Sequence, residues 1–166
     1  MIGRIISRTL IIRRPCLEDI IVNLSPTPNQ FAALPYRRRS DGALEILLIT
    51  SRGSGRWIIP KGKPIPDLAP HEAAGREAYE EAGLLGRVAP TSLGRFAYIK
   101  DQAQSRERFI PAVEVFPMEV TGQLTLWPEM GQRRVLWFDP EDAIAHIELE
   151  PLREIVRRFV IHISEH

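Results

Sequence analysis

Apolar residues form two short runs in the first third of the chain, with a turn between them. The run at 44–50 is rich in branched apolar side chains and predicts a buried strand, and the run at 31–36 predicts the strand before it. Because Ser40-Asp41-Gly42 is a turn sequence, we expect these strands to form an antiparallel hairpin. Pro35 lacks a backbone N–H and therefore favours an edge position or a bulge in the first strand.

Later apolar runs predict further strands, one before a helical segment and three after it. These strands are predicted at 57–60, 93–100, 109–120 and 133–138. Residues 121–132 contain Trp127-Pro128-Glu129 and are expected to form a loop. Strands on both sides of a helix, followed by further helices, predict a mixed α/β chain.

Two longer helices are predicted from residue spacing and end signals. In the first, at about 69–83, Ala69 fits the start, Pro70 fits the first helical position and Gly83 fits the C-terminal cap. The last helix begins near Pro151, where apolar residues recur at helical spacing and form one packing face. That face consists of Leu152, Ile155, Val156, Phe159, Val160 and Ile163.

Three carboxylates of the first helix, Glu77, Glu80 and Glu81, lie three and four residues apart and therefore share a face. Each close pair of like charges costs an isolated helix about 0.2–0.5 kcal/mol. Carboxylate oxygens suit hard divalent cations, and proteins hold magnesium with a few carboxylates plus substrate phosphates. The face is therefore either a divalent-cation site or a solvated acidic surface, and Arg76 is placed to orient one carboxylate.

The stretch from Gly62 to Leu84 resembles the Nudix box of the Nudix hydrolase family. The matching positions are Gly62, Arg76-Glu77, Glu80-Glu81 and Gly83-Leu84. The family pattern also has a glutamate at the position that Leu68 occupies here. We expect Glu72, four residues later, to substitute for it in part at the helix N-terminus, where negative charge is favourable.

This resemblance implies a fold and a reaction. The fold is an α/β/α sandwich with a central mixed sheet, which we assign to residues 28–166 after an N-terminal extension of residues 1–27. The reaction is attack of water on a phosphoanhydride, assisted by Mg²⁺ or alternatively by Mn²⁺. The implied metal ligands are Gly62, Glu77, Glu80 and Glu81, and the implied catalytic residues are the same three glutamates with Arg76.

Cationic residues close to the box are expected to bind the substrate phosphates. The candidates are Arg52, Arg56, Lys61 and Lys63. For the two lysines, solvated loop side chains are the alternative interpretation. The general base of the family sometimes lies outside the box, and Glu114 and Glu129 are the candidates for it here. Each of these two glutamates is otherwise a surface or structural carboxylate.

Several short stretches resemble the family branch that acts on diphosphoinositol polyphosphates and diadenosine polyphosphates. They are Thr50-Ser51-Arg52, Trp57-Ile58-Ile59-Pro60 and Trp137-Phe138. The resemblance therefore implies a very anionic small molecule as the substrate. Two alternatives stay open, namely removal of pyrophosphate from the 5′ end of RNA and a non-catalytic Nudix-like sensor of nucleotides.

Composition limits the partners and the compartment. The chain has 166 residues, which is about one domain, and its net charge of +1 gives no overall attraction to nucleic acid or to a membrane surface. No apolar run reaches the length of a membrane-spanning helix. The single cysteine, Cys16, excludes an intramolecular disulfide and suits a reducing cytoplasm. We expect a cytoplasmic monomer or homodimer.

Overall fold

The computed structural model of the protein describes residues 27–98 and 111–165. Within these ranges the chain forms eight strands and three helices. The strands are β1 Gln30–Arg38, β2 Leu44–Thr50, β3 Trp57–Ile58, β4 Lys61–Gly62, β5 Leu84–Val88, β6 Gly94–Ala97, β7 Ala112–Gln123 and β8 Val135–Phe138. The helices are α1 Pro70–Ala82, α2 Pro140–His146 and α3 Glu150–Ser164. The predicted N-terminal extension, apart from Thr27, lies outside the described residues.

The strands join in one mixed sheet. Its main path runs β3-β2-β1-β7-β5, while β8 also pairs with β2, β4 with β1, and β6 with β7. The β1–β7 pair is parallel and the other pairs are antiparallel. The predicted hairpin is confirmed, because Arg38 of β1 faces Leu44 of β2. The β1–β4 pairing matters for the site, since β4 carries Lys61 and Gly62.

Alternate residues of the central strands pack on opposite faces of the sheet. Leu47 and Ile49 of β2 contribute to the core on the α1 side, where four alanines of the helix are buried. Ile46 and Leu48 contribute to the core on the other side, which α2 and α3 cover. The predicted α/β/α sandwich with a central mixed sheet is therefore confirmed. None of the helices in the described ranges is both long enough and apolar enough to cross a membrane.

Helix α1 begins and ends where the sequence predicts. Ala69 is the extended N-cap residue and Pro70 lies in the first turn. The Glu72 carboxylate accepts the backbone N–H of Ala69 at 2.8 Å, so Glu72 does hold the helix N-terminus. Gly83 has a φ of 67°, which glycine adopts without strain, and its N–H donates to the Tyr79 carbonyl at 2.9 Å.

The prediction of an edge position or a bulge at Pro35 is wrong. Strand β1 is an interior strand, and Pro35 pairs with Met118 of β7 on one side. On the other side, β1 pairs with β4 at its start and with β2 from Tyr36 onward. Pro35 lies in the interval between these two partners. The interior strand tolerates the proline there because neither antiparallel ladder uses its missing N–H.

The prediction of a loop over all of residues 121–132 is wrong at its start. Strand β7 continues to Gln123 because its end pairs with Leu84 and Leu85 of β5. Strand β5 is not predicted from the sequence, since Gly86 and Arg87 interrupt its apolar pattern. The pairing of β5 with β7 therefore determines both the extension of β7 and the existence of β5. Local residue preference indicates neither of them.

The cross-strand neighbours Leu48 and Leu136 give a test of this core. Leu48 is fully buried, whereas Leu136 is 44% exposed. We expect Leu48→Ala to lower the free energy of unfolding by about 2–5 kcal/mol, because it removes buried contacts and leaves a cavity. Leu136→Ala should lower it by less than about 1 kcal/mol. Urea unfolding measures both values, and equal losses for the two variants would contradict the packing described.

Candidate active site

A cleft of about 730 Å³ lies between the Ser51–Arg56 loop, strand β4 and helix α1. Cationic and acidic side chains both line it. The cationic residues are Arg52, Arg56, Lys61, Lys63 and Arg133, and the acidic residues are Glu77, Glu81 and Glu129. All four predicted phosphate-binding residues therefore reach one cleft, together with two of the three predicted glutamate ligands.

Glu81 is the most buried acidic group of the cleft and is only 5% exposed. Strand β4 supplies one of its partners, since the backbone N–H of Lys61 donates to Oε2 at 3.1 Å. The Arg133 guanidinium donates to Oε1. Burial raises the pKa of Glu81 to about 7, although Arg133 and the Lys61 N–H act in the opposite direction. Burial therefore outweighs the two contacts that stabilise the ionised carboxylate.

Glu77 lies one helical turn before Glu81 and directly against Gly62. The β1–β4 pairing places Gly62 opposite Phe31, and a Cβ added at Gly62 would overlap the Glu77 carboxylate. Burial raises the pKa of Glu77, and the neighbouring charges of Glu80 and then Glu129 add to this effect. The absence of a side chain at Gly62 is thus what lets a carboxylate approach this part of the backbone.

Glu80 lies apart from the other two glutamates of the predicted set. Its side chain does not belong to the cleft lining, and its Oε1 is 3.4 Å from Nε of Arg76. Arg76 also lies outside the lining and pairs with Glu80, and within the described residues it forms no ion pair with the three glutamates of the cleft. The expected roles of Glu80 as a metal ligand and of Arg76 as an orienting residue stay predictions.

Arg133 is a site residue that the sequence does not predict. Strand β8 begins at Val135, two residues later than the predicted strand, and the 7%-exposed side chain of Arg133 points into the cleft. It donates through Nε to Glu129 Oε2 at 3.2 Å and through Nη1 to the Thr50 carbonyl at 3.3 Å. The only local signal is the four-residue spacing from Glu129, which is too common to indicate a site.

The predicted phosphate-binding residues differ in their partners. Arg52 donates to the Gln132 side chain at 3.3 Å, and Arg56 lies 3.1 Å from Glu148. The Ser51–Arg56 loop that carries them is closed by a 2.9 Å hydrogen bond from the Ser51 N–H to the Arg56 carbonyl. This closure holds both arginines at the rim of the cleft.

The two lysines of the predicted set flank Gly62 in the same lining. The ammonium of Lys61 lies 5.3 Å from the ring centroid of Tyr98. The side chain of Lys63 also lines the cleft, from the opposite side of Gly62 in the sequence. A phosphorylated ligand in the cleft would therefore meet cations from two loops.

The two candidates for the general base are separated by the structure. Glu129 lines the cleft and pairs with Arg133. Glu114 does not belong to the lining, and its Oε1 accepts from Nε and Nη2 of Arg95, each at 3.2 Å. Glu129 is therefore the candidate whose position allows contact with a bound substrate.

The carboxylates of this cleft fit a hard divalent cation. Within residues 27–98 and 111–165, no three His, Cys, Asp or Glu side chains are grouped as a metal site. Magnesium, however, is commonly held by one or two carboxylates together with substrate phosphates. Glu81 supplies a buried carboxylate and Glu77 a half-buried one, and Glu77 approaches the Gly62 backbone closely. These residues offer the hard oxygen ligands that magnesium prefers.

Comparison with known proteins agrees with this geometry. A sequence model of the NUDIX domain matches residues 28–161. The chain belongs to the Nudix family. The family prediction from Gly62, Arg76-Glu77, Glu80-Glu81 and Gly83-Leu84 is therefore confirmed. The difference at Leu68 does not alter this assignment.

Individual Nudix relatives match part of their length. Nudix hydrolase 21, chloroplastic, of Arabidopsis thaliana is 32% identical over 126 residues, which cover 75% of this chain and 61% of that protein. Diphosphoinositol polyphosphate phosphohydrolase 3-alpha of Mus musculus is 40% identical over 110 residues, covering 64% and 62%. The chain thus spans about three fifths of the length of these relatives. A structure of a C. elegans Ap4A hydrolase binary complex shares the fold, with a TM-score of 0.62, 19% identity, and coverage of 84% of this chain and 100% of that one.

Two glycines test the close approach at Gly62. Gly62→Ala should displace the Glu77 carboxylate, because the new methyl group overlaps it. The overlapped atoms are the flexible end of a side chain, so the free energy of unfolding should fall by less than about 1 kcal/mol. Gly53→Ala is the matched control, since a Cβ there meets nothing within 4 Å. Gly53→Ala should change the free energy of unfolding by no more than about 0.5 kcal/mol. Denaturant unfolding and crystal structures of both variants provide the comparison, and a Glu77 carboxylate that keeps its position in Gly62→Ala would contradict the approach of backbone and carboxylate.

Proposed function

We propose that this Nudix protein is a pyrophosphohydrolase that cleaves a phosphoanhydride in a small anionic molecule by attack of water, with Mg²⁺ or Mn²⁺ as its cofactor. The observation that carries the proposal is the pairing of opposite charges within one cleft. The buried carboxylate of Glu81 and the half-buried carboxylate of Glu77 lie beside a loop and a strand that present arginine and lysine side chains. Such a cleft can hold a cation and a polyphosphate side by side.

Each group of residues has a separate task in this proposal. Glu77, Glu81 and the Gly62 carbonyl would hold the cation, and Glu80 is added by its position in the Nudix box. A bound divalent cation neutralises phosphate charge and lowers the pKa of water. Arg76 keeps Glu80 in position through their ion pair. Glu129 is the proposed base that accepts the proton of the attacking water.

The cationic side chains bind and orient the polyphosphate. Arg52 and Arg56 have planar guanidinium groups that match phosphate oxygens in pairs. Lys61 and Lys63 add positive charge on either side of Gly62. Holding the substrate against the glutamates in this way supplies much of the rate, since phosphoryl transfer depends mainly on positioning and electrostatic stabilisation.

Diphosphoinositol polyphosphates and diadenosine polyphosphates are the proposed substrate classes. The names of the mouse relative and of the C. elegans structure support this choice. The cationic lining supports it as well, since such molecules carry many negative charges. The cytoplasmic location and the state as monomer or homodimer stay predictions.

A substrate panel tests the proposal. It contains a diphosphoinositol polyphosphate, diadenosine tetraphosphate, ADP-ribose, nucleoside triphosphates and 5′-triphosphorylated RNA, each incubated with and without Mg²⁺. Mass spectrometry of the products identifies the bond that is cleaved. We expect Mg²⁺-dependent turnover of a small molecule. Turnover of the RNA alone would favour RNA 5′-end hydrolysis instead, and tight binding without any turnover would favour a sensor.

Matched glutamate variants then locate the reaction. Glu77→Gln and Glu81→Gln should each reduce the rate about 10²–10⁴-fold, because each removes a charge that holds the cation. Glu114→Gln is the control, since Glu114 pairs with Arg95 outside the cleft lining. It should leave the rate within about threefold of the wild type, which is less than about 1 kcal/mol of barrier. Circular dichroism confirms that each variant is folded, and equal rates in all variants would reject the site.

A further inference from the structure

Arg133 connects three parts of the cleft, although it lies outside the Nudix box. Nη2 contacts Glu81 and lies 3.2 Å from Glu129 Oε2, while Nη1 donates to the Thr50 carbonyl. Its neighbour Arg134 has its guanidinium 5.0 Å from the ring centroid of Trp57 instead. The side chain of Arg133 is thus a nearly buried positive charge that is fixed by contacts on several sides.

Arg133 is the cation of the described cleft lining that forms ion pairs with the cleft carboxylates. Glu77, Glu81 and Glu129 line the same cleft, and Arg133 contacts two of them. Other cations of the lining have partners elsewhere, namely Arg52 with Gln132, Arg56 with Glu148 and Lys61 with Tyr98. A divalent cation that binds these carboxylates therefore has to share their oxygens with the Arg133 guanidinium.

We propose that Arg133 is a positioning residue that serves as the internal counter-ion of the cation site. In the metal-free protein it holds Glu81 and Glu129 in place. When a divalent cation binds, Arg133 competes with it for the carboxylate oxygens and so lowers its affinity. The inference rests on the proposed function, because it takes Glu77, Glu81 and Gly62 to be the cation site.

Two substitutions separate the charge of Arg133 from its shape. Arg133→Met keeps an extended side chain but removes the charge, so Glu81 is left buried without its cation and the repulsion of a divalent ion disappears. The metal-free protein should then be less stable and should bind the ion more tightly. Arg133→Lys retains the charge and loses the paired geometry. Its ion affinity should therefore stay close to that of the wild type.

Binding of Mn²⁺ is the measurement, with the free ion followed by electron paramagnetic resonance and the melting temperature recorded with and without the ion. We expect Arg133→Met to bind Mn²⁺ about tenfold more tightly than the wild type does. Its melting temperature should also rise more on addition of Mn²⁺. Arg134→Met is the matched control and should match the wild type in both measurements.

Unchanged or weaker binding by Arg133→Met would overturn the inference. A wild-type protein that binds no Mn²⁺ at this cleft would instead reject the cation site itself, and the inference with it.

A second measurement needs no substitution and therefore stands if Arg133→Met does not fold. The Nε–H of Arg133 donates to Glu129, so its ¹H–¹⁵N NMR signal reports on that contact. Titration with Mg²⁺ should shift this signal while leaving that of Arg134 unchanged. An Arg133 signal that does not move at Mg²⁺ concentrations that shift the backbone signal of Gly62 would contradict competition between the ion and the guanidinium.

Discussion

The site depends first on the burial of one carboxylate, that of Glu81. An ionised carboxylate removed from water costs several kcal/mol unless opposite charge and hydrogen bonds compensate for it. Here the Lys61 N–H and the Arg133 guanidinium provide this compensation. It is incomplete, since burial still raises the pKa of Glu81 to about 7. A further cation beside Glu81 would therefore stabilise its ionised form, which is why the cleft suits a metal ion.

The groups that compensate for the buried charge of Glu81 come from segments that are far apart in the sequence. Strand β4 pairs with β1, and this pairing brings the Lys61 N–H to the C-terminal part of helix α1. The segment after β7 is attached to the same helix, because the Glu129 N–H donates to the Glu80 carbonyl at 3.0 Å. That attachment also brings Arg133 within reach of Glu81. The mixed sheet with helices on both faces thus supplies the fixed positions that a buried charge needs.

Local signals account for the parts that could be predicted. Pro70 fixes φ in the first turn of α1 and Gly83 accepts the left-handed conformation that ends it, so both ends follow from the sequence. The branched apolar run of β2 likewise has one stable place in the sheet. Strand β5 could not be predicted, because its pairing with β7 stabilises residues with weak strand preference. Arg133 was missed for the same reason, since its contact with Glu81 spans 52 positions and leaves no local pattern.

The direct test of the central claim is a crystal structure of the protein with Mn²⁺, in which anomalous scattering locates the ion without reference to a model of the site. We expect an anomalous peak in contact with the carboxylates of Glu77 and Glu81 and with the backbone of Gly62. We also expect the contact between Arg133 and Glu129 to be lengthened relative to the metal-free protein. A cleft without a peak at a saturating concentration of Mn²⁺, or with peaks only at other carboxylates, would show that Glu77 and Glu81 do not form a cation site.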